Sequence, residues 1–505
     1  MKLILFNPVS APPGKNYLPL SLLALGAVLE GKYDYEIVDG NLEADPAARL
    51  IALLQTAGNP DGVGTILGVT VMPGPQLNQV VAVCPKIKAA LPGCTIVWGG
   101  YFPTEHTEVC LRANYVDFVV RGQGEATFLE LLDWLVADPR LRVTSALGQI
   151  KGLSYKANGE IRHNGERELI SPQKLPPLPY HRVPIKKYLT VSAIGQRTLP
   201  HNSSFGCPFL CNFCAVVKMV EGGWLAETGE RTAASVRYLH EEFGADSVIF
   251  VDNNFFTSEK RVRRYAETLL EFGLEDKIKW WGEGRVDTLI KYKPETWQVL
   301  KKAGCAMIFM GAESGSDETL AQMNKGGKAS TAATLEIARI LKNYGIVPEF
   351  SFILGNPPNP DADIKNTINF IKRVKKVNSA TEIILYLYSP EPVEGDLLEA
   401  AKVGGFRFPQ TLEEWVGTDW KDFAHRHNPH TPWLRSDHRR LVSEFGQVLN
   451  AYYPTSTDPR LAGWRGKFIK LTAGWRYHTN FYRYPLELKV LDKLLGYQRQ
   501  DTRAC

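Results

Sequence analysis

The chain is expected to be an α/β protein. A doubly wound N-terminal domain would lead into a central partial barrel of six βα units, with an α-rich cap at the C-terminal end. Three observations predict this: two separate alternations of short apolar runs with amphipathic stretches, a proline-rich segment between them, and an aromatic-rich tail. The expected divisions are residues 1–140, 141–195, 196–395 and 396–505. At 505 residues the chain is too long for one ordinary core.

In the first 140 residues, runs at 2–7, 35–38, 66–71, 95–98 and 116–120 read as strands, and 18–29, 46–57, 76–90 and 105–113 as helices. Such alternation argues a parallel sheet covered on both faces, with ligands at the carboxyl ends of the strands. Glycines fall at those ends: Asp39-Gly40, Gly99-Gly100 and Gly122-Gln123-Gly124-Glu125. One such pair favours a tight turn; three along one sheet edge favour close approach of a large ligand. A linker is expected over 141–195, with a hairpin around Asn158-Gly159 and then Leu175-Pro176-Pro177-Leu178-Pro179, too proline-rich for a central strand.

The second alternation has strands at 199–205, 247–251, 279–282, 306–310, 347–354 and 382–388. Polar groups gather at their carboxyl ends, where barrels of this kind place their chemistry: Asp252-Asn253-Asn254, Glu283 with Arg285, Glu313-Ser314, and Gly355-Asn356-Pro357-Pro358. From about residue 396 the chain is rich in aromatic and basic residues and carries His425, His427, His430 and His438. Its aromatic side chains are expected to cap the barrel and shape a pocket, either as core or as a platform for a flat or apolar small molecule.

After the first strand of the second alternation comes Gly206-Cys207-Pro208-Phe209-Leu210-Cys211-Asn212-Phe213-Cys214. Three thiolates at C-x3-C-x2-C spacing can hold three corners of a cubane iron–sulfur cluster, leaving the fourth iron open to a substrate or cofactor. A structural zinc site would want four ligands, usually as two separated pairs. No second pair follows, and His201, the nearest further candidate, reads more simply as a loop histidine. Cys84, Cys94, Cys110 and Cys305 lie in apolar surroundings and are expected to be buried free thiols. A disulfide scaffold is therefore not expected, which suits a reducing cytoplasm. The net charge of +5 is small for this length and makes no case for nucleic acid. Neither a leader sequence nor an apolar stretch of membrane-spanning length is visible.

Taken with the strand-end groups, the cysteine loop resembles the radical S-adenosylmethionine (SAM) superfamily, and residues 1–140 look like the cobalamin-binding domain that precedes it in one large subgroup. The resemblance covers residues 1–400 in the right order, through Pro19-Leu20-Ser21-Leu22-Leu23, Val97-Trp98-Gly99-Gly100, Arg121-Gly122-Gln123-Gly124-Glu125, the cysteine loop and Gly311-Ala312-Glu313-Ser314-Gly315. It implies that Cys207, Cys211 and Cys214 ligate a [4Fe-4S] cluster whose open iron chelates SAM. Asp252 and Asn253 would receive the SAM amino group, Arg285 its carboxylate, and Glu313 and Ser314 the ribose hydroxyls, with Phe213 near the adenine. Gly99, Gly100, Gly122, Gly124, Glu125 and Thr70, with the rest of residues 70–75, would line the corrin and its nucleotide tail. Many corrin proteins carry Asp-x-His-x-x-Gly after the first strand. Here the loop runs Asn7-Pro8-Val9-Ser10-Ala11-Pro12-Pro13-Gly14, and the only histidine before residue 150 is His106. Cobalamin is accordingly expected base-off, without a histidine ligand.

The resemblance implies a cobalamin-dependent radical SAM methyltransferase. Reductive cleavage of SAM would yield a 5′-deoxyadenosyl radical that abstracts hydrogen, and methylcobalamin would donate a methyl group to an unactivated carbon. An electron donor such as flavodoxin or ferredoxin would serve the cluster. The alternative within enzymes is an oxidative cyclase of the anaerobic magnesium-protoporphyrin monomethyl ester type. A tRNA methylthiotransferase would need a second three-cysteine cluster, for which Cys84, Cys94 and Cys110 are wrongly spaced. The alternative outside enzymes is a cobalamin and iron–sulfur sensor module, which would not need the strand-end SAM groups.

Overall fold

The computed structural model describes residues 1–12, 15–55, 59–137, 144–220, 222–325, 329–421, 431–455, 457–461 and 463–497. His425, His427 and His430, and Pro13-Gly14 of the first loop, lie outside the described residues.

The first sheet contains β1 (Lys2–Asn7), β2 (Tyr35–Asp39), β3 (Thr65–Thr70), β4 (Thr95–Gly99), β5 (Phe118–Val120), β6 (Leu153–Ala157) and β7 (Glu160–His163) in the order β2-β1-β3-β4-β5-β6-β7. The five strands β1 to β5 are parallel, and the chain reverses its winding between β1 and β3. That switch point opens a crevice at the carboxyl ends. Because side chains alternate along a strand, Leu3 and Leu5 pack on the face that also buries Leu22, Leu29, Phe128 and Leu131. Ile4 and Phe6 pack on the other face with Leu50, Leu77 and Val80. The hairpin expected inside a linker instead extends this sheet, pairing antiparallel onto β5. The expected helix at 105–113 is broken at His106 into Tyr101–Glu105 and Thr107–Arg112.

The second sheet contains β8 (Thr198–His201), β11 (Ser247–Phe250), β12 (Lys279–Gly284), β13 (Cys305–Glu313), β14 (Val347–Leu354) and β15 (Glu382–Leu387), all parallel, in the order β15-β14-β13-β12-β11-β8. The six strands follow one another in sequence, as a partial (β/α)6 barrel requires, so every carboxyl end lies on one side. The single strand expected at 199–205 is two: the chain leaves the barrel after His201, and β9 (Ser204–Gly206) pairs antiparallel with β10 (Trp224–Ala226). Barrel helices start on side-chain caps, with Thr228, Ser258, Ser316, Ser330 and Asn359 each accepting a backbone N–H.

The two sheets share a core. Phe6, Val69 and Trp98 of the first belong to one buried cluster with Met323, Ile353, Tyr388, Leu397, Phe406 and Trp415. Cys84, Cys94, Cys110 and Cys305 are buried free thiols. Among the described residues no helix is long and apolar enough to cross a membrane.

Candidate active site

The cysteine loop leaves β9 and is strapped to the segment after the helix Asp317–Gln322. The Asn212 backbone N–H donates to the Met323 carbonyl at 3.2 Å, its Nδ2 to the Gln322 carbonyl at 2.6 Å, and Asn324 Nδ2 to the Leu210 carbonyl at 2.9 Å. Cys211 is buried, while Cys207 and Cys214 are half-buried. Arg285 Nη1 donates to Cys211 Sγ at 3.1 Å, and Asn254 Nδ2 to Cys207 Sγ at 3.7 Å. The guanidinium also lies 3.8 Å over the Phe209 ring. Burial pushes the Cys207 thiol up, against the Phe209 backbone N–H and the Asn254 amide. Burial opposes the charge on Arg285 as well, yet Asp287 and Cys211 together hold its pKa above the ordinary value. Among the described residues no three His, Cys, Asp or Glu side chains converge as a single-ion site requires; a cubane differs in giving each thiolate its own iron.

The strand-end residues divide into those facing the loop and those building it. Glu313 adopts φ +61°, rare for a residue with a side chain, at an irregularity in β13. Its carboxylate forms a buried ion pair with Lys325 at 2.8 Å, and Gly311 leaves room for it. Lys325 Nζ also lies 5.7 Å from the Phe213 ring centroid, and its carbonyl accepts from Arg285. Asn253 is exposed. Asp252 is fully buried, its carboxylate accepting from the Ser203 N–H and from the Ser203 and Ser204 hydroxyls. These bonds tie it to the junction between β8 and β9. Ser314 is likewise buried and donates to Asp363 at 3.2 Å. His201 is a buried strand residue, not a loop histidine, between Tyr180 at 3.3 Å and Glu227 at 3.6 Å.

Sequence reasoning missed Lys325 and Asn254 as site residues. Asn254 was within reach, since it completes the polar triplet at the end of β11. Lys325 carries no local signal, because only its packing distinguishes it from any surface lysine.

At the first sheet's edge, Ser21 Oγ donates to Thr70 Oγ1 at 3.2 Å. The ends of β3 and β4 are zipped by Val71 N–H to the Gly99 carbonyl and Phe102 N–H to the Val71 carbonyl. Gly100 has φ +98°, and a Cβ there would press on Thr70 Oγ1 at 3.2 Å and on the Val71 backbone at 3.3 Å. The Gly122 N–H donates to Thr104 Oγ1 at 3.0 Å. Glu125 is buried in the first turn of its helix against its own backbone N–H, and burial raises its carboxyl pKa. His106 is enclosed by rings, at 4.6 Å from Trp415, 4.9 Å from Phe102 and 5.8 Å from Phe408. Burial drives its pKa down to about 4.

The two edges meet. Tyr101, directly after Gly99-Gly100, donates to Glu391 on the loop beyond β15 at 2.8 Å. The helix Val216–Val220, which follows the cysteine loop, packs against Tyr101–Glu105. At the carboxyl end of the barrel Phe213, Ile353, Tyr386, Leu387, Tyr388 and Ser389 line a cavity of about 20 Å³. Trp433 lies with its ring centroid 6.0 Å from that of Tyr388 and donates to the Gly355 carbonyl at 2.9 Å.

The sequence matches the Radical SAM superfamily over residues 201–371 and the B12 binding domain over residues 7–132. It is 29% identical over 381 residues to an uncharacterized methyltransferase of Pyrococcus horikoshii, covering 74% of this chain and 78% of the relative. It is 23% identical over 364 residues to the anaerobic magnesium-protoporphyrin IX monomethyl ester cyclase of Synechocystis, covering 69% and 67%. The fold is similar to that of the cobalamin-dependent S-adenosylmethionine radical enzyme OxsB with aqua-cobalamin bound, at TM-score 0.65 and 18% identity over 98% of this chain and 75% of that one.

Proposed function

This chain belongs to the radical SAM enzymes that carry a B12 binding domain, and we propose that it is a cobalamin-dependent methyltransferase acting on an unactivated carbon of a small molecule. The observation that carries this reading is the contact between the two edges, where the Tyr101–Glu391 hydrogen bond of 2.8 Å ties the glycine edge of the first sheet to the carboxyl end of the barrel. A methyl group held at one edge would then lie beside a carbon activated at the other.

The residues present fit the implied groups. Cys207, Cys211 and Cys214 would hold a [4Fe-4S] cluster, with the Arg285 cation and the Asn254 amide N–H favouring thiolate sulfur. Thr70, Ser21 and the backbone at Gly99-Gly100 would receive the corrin, for which absent side chains permit close approach. With His106 walled in by aromatic rings, cobalamin would bind base-off without a histidine ligand. When bound, these groups supply reductive SAM cleavage and a transferable methyl group.

The chain's own side chains bind, orient and exclude water. Asn253 and Arg285 would contact the SAM amino acid head and Glu313 its ribose, while Asp252 and Ser314 act through the backbone they hold. A flat or apolar substrate would meet Phe213, Ile353, Tyr386 and Tyr388, whose cavity of about 20 Å³ is the size of one water molecule and would have to widen to admit it. A flavodoxin- or ferredoxin-type donor would supply the electron.

Anaerobic reconstitution with cobalamin, reductant, methyl-labelled SAM and a small-molecule extract tests the reading. Label should pass from SAM to bound cobalamin and on to a product, with 5′-deoxyadenosine formed alongside. The similarity to the Synechocystis cyclase favours a second reading, oxidative cyclisation. That reading predicts 5′-deoxyadenosine with no label in any product, a result that would sink methyl transfer.

A further inference from the structure

Two C-terminal helices, Trp464–Thr479 and Leu486–Leu495, bury one face and leave a second apolar face bare. In the first helix Gly466, Ile469, Ala473 and Tyr477 pack inward. Trp464, Phe468, Leu471 and Trp475 recur at i, i+4, i+7 and i+11 on the opposite side, and they are 49–79% exposed. The second helix repeats the arrangement, with Leu488 buried and Leu486, Val490 and Leu494 57–74% exposed. Trp475, at the end of the first stripe, stacks at 5.7 Å on Phe481 of the segment leading to the second helix, the Phe481 ring itself half-exposed. Scattered exposed apolar residues need no explanation, but a regular stripe on each of two successive helices does.

The charge around this face is one-sided. Residues 464–495 contain seven basic and two acidic side chains, an excess equal to the +5 of the whole chain. One of the seven, Arg476, is paired inward with Glu487. Arg465, Lys467, Lys470, Arg483, Lys489 and Lys493 are exposed. Lys467 borders the first stripe, and Lys489 and Lys493 the second, by helical position.

We propose that this face docks on an anionic lipid bilayer, with both helices lying in the plane of the surface. Tryptophan, phenylalanine and leucine flanked by lysine and arginine are the chemistry of an interfacial helix: the apolar side chains enter the headgroup boundary and the basic ones pair with phosphate. A second copy fits less well, because a two-fold interface would set the same positive rim against itself.

Sedimentation of the full-length protein with vesicles tests this, using phosphatidylcholine alone or mixed with phosphatidylglycerol. The protein should pellet with the mixed vesicles at low salt, release as salt rises, and stay in solution with phosphatidylcholine alone. Lys467→Glu, Lys489→Glu and Lys493→Glu should each weaken binding by about fivefold or more. The double variant Trp464→Ser/Trp475→Ser should lose it, while circular dichroism and the melting temperature stay unchanged. Failure to pellet with phosphatidylglycerol at low salt would overturn the proposal, as would equal pelleting by both sets of variants. So would a dimer in analytical ultracentrifugation that the double variant dissociates, since a second copy would then own the face.

Discussion

The edge of the first sheet presents glycine backbone and two hydroxyls, whereas the barrel edge presents a cation, a buried ion pair and three thiols. The contrast follows from what each would hold. A corrin is broad and needs close backbone approach, so side chains are removed. A thiolate cluster and a zwitterionic amino acid head are compact and charged, so fixed charges are brought in and fully paired. The neutral edge should therefore fail by steric obstruction and the charged edge by loss of a charge partner.

The largest effect is expected at the charged edge. Cys211→Ala should abolish 5′-deoxyadenosine formation and lower iron content while leaving cobalamin binding intact; a parallel loss of both cofactors would break the division between edges. Lys325→Met leaves Glu313 buried without its cation and should cost about 3–5 kcal/mol in denaturant unfolding, with much of that recovered in Lys325→Met/Glu313→Gln. At the neutral edge, Gly100→Val forces a side chain into a glycine-only conformation against Thr70 and should cost about 1–3 kcal/mol. Cobalamin retention measured by absorbance should fall there, with iron content unchanged.

The smallest effect concerns the seam between the domains. Burial lowers the His106 pKa from 6.5 to about 4, so the folded protein takes up this proton later than the unfolded chain. Its contribution is present above pH 6.5 and is lost as pH falls toward 4. Partial solvent access reduces the full linkage value to about 1–2 kcal/mol. Thermal unfolding followed across that pH window should show a shallower acid loss in His106→Phe.

Both alternations of strand and helix were readable because parallel strands buried on two faces leave continuous apolar runs, as in residues 3–6 and 306–310. The break at His201 was missed although Pro200, Asn202 and the two serines interrupt residues 199–205 with groups that disfavour one continuous strand, because the short span begins and ends on the apolar Leu199 and Phe205. The cysteine loop declared itself by spacing, and the strand-end polar residues by position. Burial of those residues was another matter: Asp252 and Asn253 are adjacent, yet one is buried and bonded to two serines and the other is exposed. The aromatic residues of the C-terminal region likewise look alike in sequence. Trp415 packs on His106, Trp433 lies beside Tyr388, and Trp464 faces solvent.

The sequence by itself determined the order of domains, the parallel sheets and the three-thiol loop, because periodicity and short-range spacing are local properties. Only the tertiary structure decided that Lys325 pairs with Glu313, that the hairpin of residues 153–163 joins the first sheet, and that Tyr101 reaches Glu391. Those contacts join segments separated by up to 290 positions in the chain, and they depend on which faces pack together rather than on any pattern along it.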